Sequence, residues 1–170
     1  MKNKYYLVTL LILIIDHATK WVANAYLHPR QAVDMIPGYL RFSRVYNSGV
    51  AFGLFDDSDY FWKPYALGAL AVLAVAVIFI YKTRIPAERK LLHLALAVTM
   101  SGILGNFIDR ILHGYVIDFI EFHLREVFYW PTFNVADSAI TIGIALLLID
   151  AVRNPSADNA AEQSASSGGP

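Results

Sequence analysis

No cysteine occurs among the 170 residues, which excludes a disulfide framework, a thiol nucleophile and a cysteine-ligated metal. Charge is also scarce, at 16% Asp, Glu, Lys and Arg, and it balances to zero. With no basic run to track phosphates, nothing in the chain points to nucleic acid. His113, Asp118, Glu121 and His123 have ligand-type side chains, but no His-Glu-x-x-His pattern organises them, so no metal site or cofactor is expected. Ser138, or Thr19 with Lys20, lacks the Gly-x-Ser-x-Gly or Ser-x-x-Lys context of a hydroxyl nucleophile.

What is present is apolar: 56% hydrophobic residues and a mean hydropathy of +0.45, the composition of an integral membrane protein with one domain. Four spans are predicted, at about residues 5–27, 62–81, 91–112 and 134–152. The first has a basic start, an apolar core and then Asp16, His17 and Lys20. It reads either as a cleavable signal peptide or as a retained helix, and the i,i+4 placement of Asp16 and Lys20 favours the helix. Pro and Gly spaced through 28–60, with an alternating run at 39–46, predict a small β element in that region, lying on the bilayer outside the spans. Asp56, Asp57 and Asp59 read as a solvated loop, and residues 154–170 as a disordered polar tail.

Lys2, Lys4, the basic residues between 82 and 90, and Arg153 fall on one side of a four-span chain. The positive-inside rule makes that side cytoplasmic, with both termini there. At 1.5 Å per residue, Asp109 lies about 27 Å beyond Leu91, near the opposite face. Asp16 and Lys20 late in the first span, and Asn134 and Asp137 at the start of the last, reach the same level. The other half of the bilayer is expected to stay apolar, and the uncharged second span to contribute packing alone.

Charged and amide side chains beside hydrocarbon are costly unless paired or hydrated, so residues 101–138 are the candidate site. Asp118 and Asp137 lead. If the loop after the third span brings them together, two carboxylates at the membrane edge share one proton, the acid and base pair of an aspartic protease. Plainer roles compete with this. Asn134 can cap the last helix with Asp137 in its first turn. Asp109 and Arg110 can form an interfacial ion pair, Asp16 can pair with Lys20, and Lys20 can snorkel to headgroups. Gly102 and Gly105 suit close helix packing.

Five pieces then occur in a specific order: DHATK at 16–20, NSGVAF at 47–52, Gly102 through Gly105-Asn106 to Asp109-Arg110, VIDF at 116–119 and FNVADS at 133–138. Together they make the chain resemble the bacterial lipoprotein signal peptidase (signal peptidase II) family along nearly its whole length. The resemblance implies an all-α integral membrane fold of four helices with a small periplasmic β cradle over about 36–55, forming a single peptidase domain over 1–153. It implies an inner-membrane aspartic endopeptidase that needs no cofactor. Such an enzyme acts from the periplasmic side on diacylglyceryl-modified prolipoproteins, cutting just before the lipidated cysteine. By position, Asp118 and Asp137 match the catalytic pair. Asn47, Gly49, Asn106, Arg110 and Asn134 match residues that line or order the site, and Asp16 a supporting acidic residue, while Lys20, Asp109, Gly102 and Gly105 are read as structural. Membrane phospholipid and globomycin-type cyclic peptides are the other implied partners, with a monomeric enzyme. Ser101 stands where the family often has glycine, and His17 where it commonly has Gln. The match also retains residues 16–20 in the mature protein, against the signal-peptide alternative.

Overall fold

The structure is a computed structural model that describes residues 3–28, 31–49, 62–125 and 127–154. The expected acidic loop at 56–60, the 50–55 part of the expected β element and the tail beyond 154 lie outside the described residues. Four helices, α1 (Asn3–Tyr26), α2 (Lys63–Arg84), α3 (Lys90–His113) and α4 (Val135–Arg153), are long and apolar enough to cross a membrane. This is the frame of a multi-pass membrane protein. In lipid a helix satisfies its own backbone polar groups, which is why long apolar runs fold this way. Helix α3 is the buried centre, whereas α2 turns Val72, Leu73, Val77 and Phe79 outward, as lipid-facing residues do.

Glycines allow α3 and α4 to approach closely. A Cβ on Gly102 would stand 2.2 Å from the Ala136 carbonyl oxygen, and one on Gly143 2.1 Å from Thr99 Oγ1. Neither position has room for a methyl group. Gly114 ends α3 in the left-handed conformation that glycine adopts without penalty, its N–H returning to the Arg110 carbonyl at 3.0 Å.

The helices carry the expected small β element, a four-stranded antiparallel sheet with its strands in chain order, and it draws on more of the chain than the expected region. Strands β1 (Ala32–Ile36) and β2 (Leu40–Asn47) come from the region expected to be β, but β3 (Val116–Leu124) and β4 (Phe128–Tyr129) come from the stretch read as a loop between the last two helices. Val116 to Phe119 are buried at four consecutive positions, so both faces of β3 are covered there. A doubly covered strand shows no alternation of apolar and polar residues, and that is why its period was not visible.

One correction concerns the end of the bundle expected to be apolar. Asp150 near the end of α4 is buried and pairs with Arg89, His93 is buried and stacks on Tyr5, and the Lys82 ammonium lies 3.9 Å from the centre of the Tyr6 ring.

Candidate active site

The site is assembled where three backbone segments meet. In the β2–β3 pairing Asn47 lies opposite Val116, which makes Asp118 its diagonal neighbour on one face of the sheet. The Asn47 amide accordingly donates to Asp118 Oδ2 at 2.9 Å. Just before α4, Phe133 forms a bridge to Ile120, its N–H donating to the Ile120 carbonyl at 2.9 Å. This backbone tie carries Asn134 to the flank of β3, where its amide donates to Asp118 Oδ1 at 2.6 Å.

Asn134 is at the same time the N-cap of α4. Its side-chain Oδ1 accepts from the Asp137 N–H at 2.9 Å, and Asp137 Oδ2 accepts in return from the Asn134 N–H at 3.2 Å, a reciprocal capping box. The plainer role weighed for these two residues is therefore present, and it is also what joins them to Asp118. Capping uses one end of the Asn134 amide and leaves the other for the second carboxylate.

Asp137 Oδ1 accepts from the Asn106 amide at 2.7 Å, so both oxygens of both carboxylates have a nitrogen donor. Arg110 reaches over the cluster, donating to the Gly49 carbonyl at 2.9 Å and to the Asn106 carbonyl at 3.3 Å. Gly49 returns its N–H to the Asn47 side-chain oxygen at 2.9 Å. Asp118 is 2% exposed, and burial drives its carboxyl up to about 7. The nearby Asp137 charge pushes in the same direction, while hydrogen bonds from Asn47 and Asn134 and the Lys20 charge pull against it. Two carboxylates in one buried cluster, one with a proton near neutral pH, are a general acid and base pair in chemical form.

Behind them is a buried ionic group. Lys20 Nζ lies 2.8 Å from Asp16 Oδ2 and 2.9 Å from Asp109 Oδ2, with both of its partners nearly inaccessible. Lys20 is thus turned inward and does not snorkel, and Asp109 pairs with Lys20 across helices where the sequence suggested its neighbour Arg110. Asp16 Oδ1 accepts from the Ala136 N–H in the first turn of α4, at 2.8 Å. Gly105 leaves the space for this: its Cβ would come within 2.6 Å of Asp16 Oδ2.

A cavity of about 260 Å³ opens onto the cluster, lined by Asn47, Asn106, Arg110 and Asp137 on its polar side. Leu67, Leu70, Ala71 and Ala74 of α2 form an apolar wall. Helix α2 was expected only to pack, and its contribution to the site was missed. The three- and four-residue spacing of those side chains places them on one helix face, a signal available in the sequence but indistinguishable there from an ordinary packing stripe. His17 Nδ1 stands 3.7 Å from Asp109 Oδ1, at the margin of the ionic group. Among the described residues no cluster of His, Asp and Glu is arranged to hold a metal ion.

A family model described as signal peptidase (SPase) II matches residues 8–153. The chain is 37% identical to a lipoprotein signal peptidase of Francisella tularensis subsp. novicida, over 86% of this chain and 90% of the relative. It is likewise 37% identical to lipoprotein signal peptidases of Pseudomonas putida, over 89% of this chain and 88% of the relative, and of Alteromonas mediterranea, over 94% and 88%. A solved structure of a bacterial membrane enzyme superposes with a TM-score of 0.81 at 26% identity, covering 91% of this chain and 90% of that one.

Proposed function

The chain belongs to the signal peptidase II family, and from that premise we propose that it removes signal peptides from diacylglyceryl-modified prolipoproteins by aspartic catalysis on Asp118 and Asp137. The observation that carries the mechanism is the bridging of two carboxylates by Asn134, whose amide donates to Asp118 at 2.6 Å while its backbone N–H and side-chain oxygen bind Asp137. With one proton shared between them, the ionised carboxylate takes a proton from water as it attacks the scissile carbonyl carbon. The protonated partner donates to the carbonyl oxygen. The tetrahedral gem-diol collapses when the now-protonated carboxyl gives its proton to the departing amide nitrogen, the C–N bond breaks and the other carboxylate takes a proton from a gem-diol hydroxyl, which regenerates the singly protonated pair.

Cleavage falls immediately before the lipidated cysteine. The diacylglyceryl chains stay in the bilayer, which keeps the scissile bond near the membrane edge and spares the enzyme a search in three dimensions. The apolar α2 wall and polar floor of the cavity suit a substrate that is apolar on one side and must meet water on the other. Globomycin-type cyclic peptides compete for the same cavity.

The positive-inside rule supports a setting in the inner membrane with both termini cytoplasmic. Lys4, Lys82, Arg84, Lys90 and Arg153 lie at the helix ends away from the carboxylates, an arrangement that supports a periplasmic site and sheet. The proposed unit is a single peptidase domain over 1–153 that works as a monomer.

The test is cleavage of a diacylated prolipoprotein by purified protein, beside Asp118→Asn and Asp137→Asn variants. Each variant is expected to fold and to lose about a thousandfold or more in kcat. Cleavage at the parent rate by either folded variant removes the dyad assignment.

A further inference from the structure

Three asparagine amides turn their N–H2 groups toward the two carboxylates. Each has a donor on its carbonyl oxygen that decides which way round the amide lies. For Asn47 the donor is the Gly49 N–H, and for Asn134 the Asp137 N–H, each at 2.9 Å. Both are backbone groups two or three residues away, free because a strand has ended or a helix has begun. Asn106 has no such neighbour, since it lies inside α3, where backbone N–H groups bond to carbonyls four residues back. Its carbonyl accepts from Lys20 Nζ at 3.1 Å and from Asn134 Nδ2 at 3.2 Å, while its own Nδ2 donates to Asp137 Oδ1 at 2.7 Å.

We propose that Lys20 is a positioning residue for the reaction, its ammonium locking the Asn106 amide so that the N–H2 group, and not the carbonyl, faces Asp137. The inference rests on the dyad proposed above. An ammonium has three hydrogens and no lone pair. An Asn106 amide turned over would therefore set N–H2 against N–H3 on one side and a carbonyl against a carboxylate on the other. Asn134 cannot enforce the orientation equally well, because its two amide hydrogens are spread over Asp118 Oδ1 at 2.6 Å, Asn106 Oδ1 at 3.2 Å and the Ile117 carbonyl at 3.4 Å.

The ion pairs aim the ammonium. Asp16 and Asp109 take its other hydrogens, and they are themselves held by the Ala136 N–H at 2.8 Å and the Ile117 N–H at 3.4 Å. Lys20 is 2% exposed and does not line the cavity, so it acts through Asn106 without touching substrate. One consequence is that Asp137 Oδ1 is kept as an acceptor toward Asn106, and the shared proton is excluded from that lone pair. A second is electrostatic. The charged groups around the pair are Asp16 and Lys20 from α1 and Asp109 and Arg110 from α3, with the titratable His17 beside Asp109, and the Lys20 charge pulls the Asp118 carboxyl downward.

The experiment compares two variants in lipid nanodiscs on a diacylated prolipoprotein peptide. Asp16→Asn/Asp109→Asn keeps Lys20, and Asp16→Asn/Lys20→Met/Asp109→Asn removes it; both retain side-chain oxygens for the Ala136 and Ile117 N–H groups. If Lys20 positions Asn106, the triple variant has a kcat about 10- to 100-fold below the double, with KM within about twofold. The alkaline limb of its pH profile also moves to higher pH. A merely structural ion cluster gives the reverse order, since the double variant buries an unbalanced cation and the triple buries none. Equal or higher kcat in the triple overturns the proposal. Should the double variant fail to fold, the triple is compared with the parent, and an unchanged kcat overturns it equally. Asp118→Asn is run alongside: if it cleaves, the dyad reading has failed, independently of Lys20.

Discussion

At the Asn134 end of α3 and α4, two carboxylates are linked through amides beside an open cavity, whereas at the far end Asp150 meets its counter-ion Arg89 directly and Asn154 donates to Asp150 Oδ1 at 3.3 Å. Both ends bury charge, so burial alone does not mark a site. The difference is in the partners. Near Asp150 the negative charge is matched by a cation, while near Asn134 two like groups are brought together by neutral amides, which hold them without neutralising them. The far cluster is the arrangement of a structural pair, and the near one suits the acid and base roles proposed for it. Nor are the two ends wired together along α3, since the hydroxyls between them are spent on their own helix: Thr99 donates to the Ala95 carbonyl at 3.0 Å and Ser101 to that of Val98 at 2.6 Å. This disfavours a proton relay through the bundle, the alternative that buried carboxylates would otherwise suggest.

Replacements at the two ends should separate accordingly. Asn134→Ala removes the bridge and the cap together, and is expected to lower kcat by about 100- to 1000-fold while costing about 1 kcal/mol of stability; a loss of stability without the kinetic effect would reduce Asn134 to a cap. Gly102→Ala should come next. Its methyl group meets the Ala136 carbonyl oxygen at 2.2 Å, so α4 must shift and carry Asp137 with it. A displacement near 1 Å costs about 100-fold in turnover, and kcat measured beside the thermal midpoint shows whether the catalytic loss exceeds the loss of folded protein.

A pH profile sharpens the same contrast. With the Asp118 carboxyl raised to about 7, the pair keeps its proton below that value and loses it above, so kcat should fall about tenfold per pH unit on the alkaline side. The sign for stability is the same. The folded value lies above the ordinary 3.8, so the folded state holds the proton more tightly, and this group's contribution declines as pH rises from 3.8 through about 7. A kcat that is flat from pH 6 to 9 would contradict a shared proton. The smallest kinetic effect belongs to the far end, where Asp150→Asn should leave kcat within about twofold and lower stability by about 1–3 kcal/mol.

How far these features could be read from the chain depended on whether they were local. The apolar runs at 65–81 and 91–112 declare membrane helices because the cost of burying a peptide in lipid is summed residue by residue. Asp118, Asn134 and Asp137 stand out for the same reason, as polar groups in apolar surroundings. Strand β3 was not legible, because cover on both faces erases the alternation by which a strand is recognised. The partner of Asp109 was not legible either, because the adjacent Arg110 offers a cation in the sequence while Lys20 arrives from a different helix. The polar cluster around Asp150 was missed at an end expected to be apolar, since Arg89 and Asp150 are 61 residues apart.

By itself, then, the sequence determined the class of protein, its four spans, the supply of carboxylates and amides and, through five ordered motifs, the family. Tertiary structure decided which group faces which. The Asp16–Ala136 contact joins residues 120 positions apart, and the Asn47–Asp118 contact residues 71 apart. Hydropathy is a sum over neighbours in the chain and survives without the fold, but a hydrogen bond requires a donor and an acceptor within about 3 Å, a condition created only when helices and sheet close around one another.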